Sequence, residues 1–197
     1  LTGSHTVSVD QYTSTGASSG NRYHASTYSQ GISNEGSTTF SYHAEYYLTV
    51  NSAYDSPSPA SNWFDAGSSI TASVSSPVSG GTGIQYVCTG WSGSGSVPST
   101  GSSCSVGFSI NAPSSITWNW KTQYQLTMQV NPSDGGTTSP PVGTYWYDAY
   151  AFCYCTVSIQ AFPNSASGYT WNKWTGSGPG SYSGTANPAT ITMNGPI

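Results

Sequence analysis

Charge is what this sequence has least of. Of its 197 residues three are Lys or Arg and seven are Asp or Glu, 5% in all, for a formal net charge of −4. Globular domains usually carry about 25% charged residues. Three cations are too few for the basic footprint of a nucleic-acid binder or for a polybasic membrane patch. No apolar run approaches the roughly 20 residues that a spanning helix needs, so no membrane span is expected. Catalytic patterns are missing too. Gly16-Ala-Ser-Ser-Gly20 spells a nucleophile-elbow motif, but its flanks are turn-like where the elbow needs a strand and a helix. No two carboxylates have a spacing that suggests acid–base work. The expectation is a protein that is not an enzyme and takes no cofactor and no metal.

The shortage of charge does not mean disorder. Disorder goes with few aromatics and high net charge, and here aromatic residues make up 14%, with seven Trp and fifteen Tyr. These can build cores and hydroxyl-bearing surfaces. Solubility must rest on hydroxyls and amides, which favours self-association. N-glycosylation is not expected, because Asn131-Pro-Ser is ruled out as a sequon by its proline. O-glycosylation of the Ser/Thr surface stays open.

Four cysteines are present, Cys88, Cys104, Cys153 and Cys155. Neither the C-x-x-C nor the Cys/His spacing of a zinc site occurs. An even number without redox motifs points to disulfides and an oxidising, extracellular setting. A Cys88–Cys104 bond would close a loop of about 15 residues and contribute roughly 3 kcal/mol in the chain-entropy treatment. For Cys153-Tyr-Cys155 a local bond, an intersubunit bond and two thiols all remain open, because residues i and i+2 of a strand point the same way.

Internal repetition carries the most information. Tyr47-Leu-Thr-Val50 matches Gln125-Leu-Thr-Met128, and Asn62-Trp-Phe-Asp-Ala66 matches Tyr145-Trp-Tyr-Asp-Ala149. Ile70 to Val74 matches Val157 to Ala161, and Gly90-Trp-Ser-Gly-Ser-Gly95 matches Lys173-Trp-Thr-Gly-Ser-Gly178. Phe108-Ser-Ile-Asn-Ala-Pro113 matches Ile191-Thr-Met-Asn-Gly-Pro196. The offset is roughly 80 residues, too long for a solenoid and suited to tandem β domains. Each unit holds short alternating runs broken by Gly, Pro, Ser and Asn, and no window has a helical period. The predicted fold is all-β, with tandem small antiparallel β-sandwich (Ig-like) domains after an N-terminal β region. The predicted boundaries are 1–45, 46–122 and 123–197. Asp65 and Asp148, at one repeat position, read as turn caps rather than calcium or sugar ligands. Trp63, Trp91, Trp146 and Trp174 read as core, and Trp118 and Trp120 as core or unit junction rather than a sugar platform.

These marks, with Gly135-Gly136, Ser167-Gly-Tyr-Thr170 and Asn187-Pro-Ala-Thr-Ile-Thr-Met193, resemble the divergent InlB-type bacterial repeat domain. That family occurs in tandem in bacterial and archaeal surface proteins, and the resemblance implies a stalk or adhesive role. Such a repeat closes with a strand like Ile116-Thr-Trp-Asn-Trp120. The second unit departs from the pattern by lacking it.

A sandwich short of one strand exposes a groove and an open edge that recruits another strand. The groove would be bordered by Ile191, Met193 and Ile197. A donor is available in Thr6, Val7, Ser8, Val9 and Asp10, with the two valines on one face. One chain's strand filling its neighbour's groove is donor-strand complementation, and head-to-tail contacts that do not close propagate as filaments. The expected partner is therefore the chain itself, in an extracellular, pilus-like filament or other cell-surface appendage. Three readings stand beside it: a chain cut before its last strand, a four-strand variant that tolerates an open edge, and a carbohydrate-binding or adhesive stalk module whose partners are surface glycans.

Overall fold

A computed structural model of the chain describes residues 4–14, 20–33, 37–153 and 156–197. It is all-β apart from one helical turn at Tyr150–Cys153 and a 3-10 turn at Ser165–Ser167. No helix among the described residues is long and apolar enough to cross a membrane. The chain divides into two compact units, residues 1–75 with 89–119 and residues 76–88 with 120–197. Two strands, β9 (Ile84–Ser94) and β12 (Ser114–Met128), each contribute to both units. Residues 1–45 thus group with the first unit, and the segment 76–88 with the second.

In the first unit, β5 (Tyr42–Asn51) is the central strand. It pairs antiparallel with β3 (Asn21–Ala25) and with β6 (Asn62–Asp65), and β2 (Tyr12–Ser14) lies beyond β3. The first residues of β12 run parallel to β5, with Ser114 opposite Leu48 and Ile116 opposite Val50. β7 (Ser69–Ser73) and β11 (Ser105–Ser109) form a second, two-stranded sheet. The short strand β10 (Thr100–Gly101) pairs with the end of β9, while β8 (Val78–Ser79) pairs with the β9 residues that belong to the second unit. Alternation decides what is buried: Ile70 and Ala72 point inward from β7, and Ile116 and Trp118 from β12. Leu48, Ile110 and Ile116 are fully buried, and Trp91 meets Trp118 edge to face at 6.0 Å. Among the described residues, β1 (Ser4–Ser8) pairs only with β4 (Ser29–Ser33), as a two-stranded ribbon.

In the second unit, the rest of β12 pairs with β14 (Gly143–Asp148). β15 (Thr156–Pro163) lies between β13 (Gly136–Ser139) and β16 (Ala189–Thr192). Leu126, Met128, Ile159, Ala189, Ile191 and Met193 form one buried cluster.

Pairing within the units follows the sequence repeat. Tyr47 faces Trp63, and Gln125 faces Trp146. Ile70 faces Phe108, and Val157 faces Ile191. Ser58 bridges Ser73, and Ser139 faces Gln160. Trp91 faces Gly101, and Trp174 bridges Gly184. Tyr47–Trp63 and Ile70–Phe108 thus recur as Gln125–Trp146 and Val157–Ile191, at matched positions on both partners.

Cys88 and Cys104 are disulfide-bonded. Reduction is expected to lower unfolding stability by roughly 3 kcal/mol, the value for a loop of about 15 residues; urea midpoints with and without reductant measure it. Cys153 is half-buried at the end of the helical turn, and Cys155 lies outside the described residues.

Candidate functional site

Two places concentrate chemistry: a groove in the second unit and a polar ladder in the first.

The groove begins where Ile197 meets β12. Ile197 N donates to Gln125 O, and Thr127 N donates to Ile197 O. This is the bonding of a residue parallel to Leu126. In the repeat, Ile197 corresponds to Ser114 and Leu126 to Leu48, the pair that opens the parallel ladder of the first unit. There the ladder continues, and Ile116 and Trp118 seal the core. In the second unit a cavity of about 350 Å³ lies along the same stretch of β12. Its lining includes Leu126, Met128, Ile159, Ile191, Ile197 and Trp174. Trp174 Nε1 is buried without a hydrogen-bond partner among the described residues, whereas its counterpart Trp91 Nε1 donates to Pro98 O. A buried donor of this kind costs about 1–3 kcal/mol until it is satisfied.

Of the three residues expected to border the groove, Ile191 and Ile197 line it. Met193 does not. It is buried in the core at 1% exposure and reaches a second cavity beside Lys121 and Asp148. The donor candidates Thr6, Val7 and Ser8 lie on β1, opposite Gly31, Gln30 and Ser29. Val9 N donates to Tyr28 O, and Asp10 O accepts from Tyr42 Oη. The segment is therefore the outer strand of a ribbon rather than a lone strand. Val7 and Val9 are half-buried, and Thr6, Ser8 and Asp10 are exposed. A two-stranded ribbon by itself is marginally stable in water.

The polar ladder was not legible as a unit in the sequence. Register builds it. Tyr12 faces His24, and His24 faces His43. One step along, Arg22 faces Glu45 and Glu45 faces Asp65. Residues two apart share a strand face, so all six lie on one side of the sheet. Arg22 Nε donates to Glu45 Oε2, and the guanidinium lies 4.1 Å from the Tyr12 ring centre and 4.4 Å from that of Trp63. His24 stacks on Tyr12 at 4.8 Å and meets His43 edge to face at 4.9 Å. His43 Nε2 is 2.8 Å from Asp65 Oδ1. Glu45 is 8% exposed. A chain with one arginine and three histidines thus places that arginine and two of those histidines in one cluster.

Both repeat aspartates depart from the turn-cap reading. The Asp65 carboxylate turns to His43. Asp148 accepts from Lys121 Nζ and from Gln123 Nε2. Cross-strand donors reach both carboxylates: Gln123 stands opposite Asp148, and His43 lies diagonally from Asp65, two residues before its opposite Glu45. Burial alone would raise the Asp148 pKa, but the hydrogen bonds from Lys121 and Gln123 and the Lys121 charge hold it below the ordinary 3.8. A lowered carboxyl pKa stabilises the fold fully above the ordinary value and stops doing so as pH falls through the lowered one. The Lys121 and Asp148 side chains are 30% and 33% exposed, so the pair contributes at most about 1 kcal/mol. Lys121→Met should flatten the decline of the unfolding midpoint below about pH 4, measured by acid titration of thermal unfolding.

No protein-family model matches the chain, and comparison with curated proteins and with solved structures finds no match to it.

Proposed function

We propose that the chain is a structural subunit of an extracellular filament, built from tandem β-sandwich units and assembled head to tail by donor-strand complementation. The carrying observation is the groove beside β12, lined by both apolar and polar residues, at the stretch that corresponds to the one Ile116 and Trp118 cover in the first unit. The proposed occupant is the β1 edge of a second copy. That strand carries Val7, with Val9 on the same face one residue past its end, and among the described residues it pairs with β4 on one edge. Its backbone would continue the parallel ladder that Ile197 opens, and its valines would meet Met128 and Ile191. The resemblance to surface repeats, the disulfide and the nearly uncharged surface agree with an extracellular structural role.

Electron microscopy of the purified chain tests this. Regular filaments are expected, and they should vanish when residues 1–12 are deleted. Filaments that persist after the deletion, or a lone stable protomer at high concentration, would remove the proposal. A strand of the same polypeptide in the groove would do so too.

A second reading, a glycan-binding or adhesive stalk module, has one observation in its favour. Tyr23 and Tyr42 are 41% and 39% exposed on the same sheet face, opposite the polar ladder. Exposed aromatic rings of this kind stack on sugars. Retention on polysaccharide that is lost in Tyr23→Ala and Tyr42→Ala would support it.

A further inference from the structure

The polar ladder has a gap that neither fold nor assembly explains. His24 Nδ1 and Glu45 Oε1 stand 3.7 Å apart. That is too far for a hydrogen bond. It is the separation of two donors that share one ion: ligands about 2.0–2.2 Å from a cation, at angles of roughly 110–125°, lie about 3.4–3.8 Å from each other. One donor atom from each of His24, His43 and Glu45 falls within 4.8 Å of the others. The His43 side chain is 39% exposed.

We propose that His24, His43 and Glu45 form a binding site for a divalent transition-metal ion, with zinc as the type case. Two imidazoles and one carboxylate suit zinc, copper or nickel, whereas calcium and magnesium need an all-oxygen shell. The surroundings orient the ligands as outer partners do in metal sites. Arg22 takes Glu45 Oε2 and leaves Oε1 directed at His24. Asp65 holds His43 Nε2, which leaves Nδ1 with its lone pair for the ion. Tyr12 stacks on the His24 ring and fixes its plane. Three protein ligands leave a fourth position for water or for a donor from another molecule. The ion would tie β3 to β5 across the register pair His24–His43. The site lies wholly in the first unit and does not depend on the filament reading.

Isothermal titration of the full chain with zinc chloride tests the site. One ion per chain is expected, with a rise in unfolding temperature on saturation. His24→Ala and His43→Ala should each weaken binding at least tenfold, and Asp65→Asn by about 10–100-fold, as outer partners do. His5→Ala, at the one histidine outside the ladder, should bind as the parent does. Circular dichroism of each variant separates lost binding from lost folding, and His24→Gln is the milder second variant. Absence of binding up to about 1 mM zinc would overturn the proposal. So would zinc binding retained in a folded His24→Ala/His43→Ala double variant, or calcium bound as tightly as zinc.

Discussion

Two subunit variants that cannot polymerise alone should, when mixed, form dimers and nothing longer. The first lacks residues 1–12 and keeps its groove. The second keeps the β1 ribbon and carries Ser177→Trp, which places a large ring at the groove from an exposed lining position without touching the core. Only one productive contact is then possible: the ribbon of the second in the groove of the first. The energies make this contact concentration-dependent. Val7 and Val9 are already half-buried, so completing their burial would contribute only part of the about 1.5–3 kcal/mol each that a fully exposed side chain gains. Ladder hydrogen bonds would add about 0.5–1.5 kcal/mol apiece. Association itself costs about 4–15 kcal/mol. Filaments of the parent chain should therefore shorten on dilution, and Val7→Asp should abolish them by burying an unpaired charge. Size-exclusion chromatography with light scattering reads all four states. Absence of dimers in the mixture would mean that groove and ribbon are not partners.

Truncating Ile116 should cost far more than truncating Ile197, although the two belong to the same element of the repeat. Ile116 is fully buried at the centre of the completed ladder. Replacing it with Ala removes about 2–5 kcal/mol, the sum of lost transfer energy and the cavity left behind. Ile197 is half-buried beside an existing cavity, so Ile197→Ala should cost less than about 1.5 kcal/mol in the unpolymerised chain. Urea midpoints of the two variants measure the difference. In the filament the order should narrow. An occupied groove stabilises the second unit by mass action, about 2.7 kcal/mol at a hundredfold excess over the dissociation constant. Equal costs for the two truncations in dilute protein would argue that the second unit is already sealed.

Much of the fold was legible because strands advertise themselves locally. Turn residues bracket short runs, and alternation marks which side of each run is buried. The matched segments carried more than strand positions. Because Tyr47 and Gln125 occupy one repeat position, and Trp63 and Trp146 another, one pairing implied the second. Met193 was misplaced because alternation assigns a face but not a position along the core. The β1–β4 pairing escaped notice because neither strand has a strong apolar alternation. The polar ladder escaped because its members are scattered from Tyr12 to Asp65. An Arg22-x-His24 and a His43-x-Glu45 pattern were the available signals, each setting two polar groups on one strand face.

The sequence by itself determined the class of this protein, all-β, repetitive and nearly uncharged, and favoured the Cys88–Cys104 bond that the structure contains. These follow from composition and local periodicity, which act over a few residues and need no partner. Only the tertiary structure decided which strands lie side by side and in what register. Register is a long-range property, set by turns and by burial on both neighbours, and a slip of one residue would turn every side chain to the other face. That is why the cavity beside Met128 and the meeting of His24, His43 and Glu45 appear only once the strands are paired.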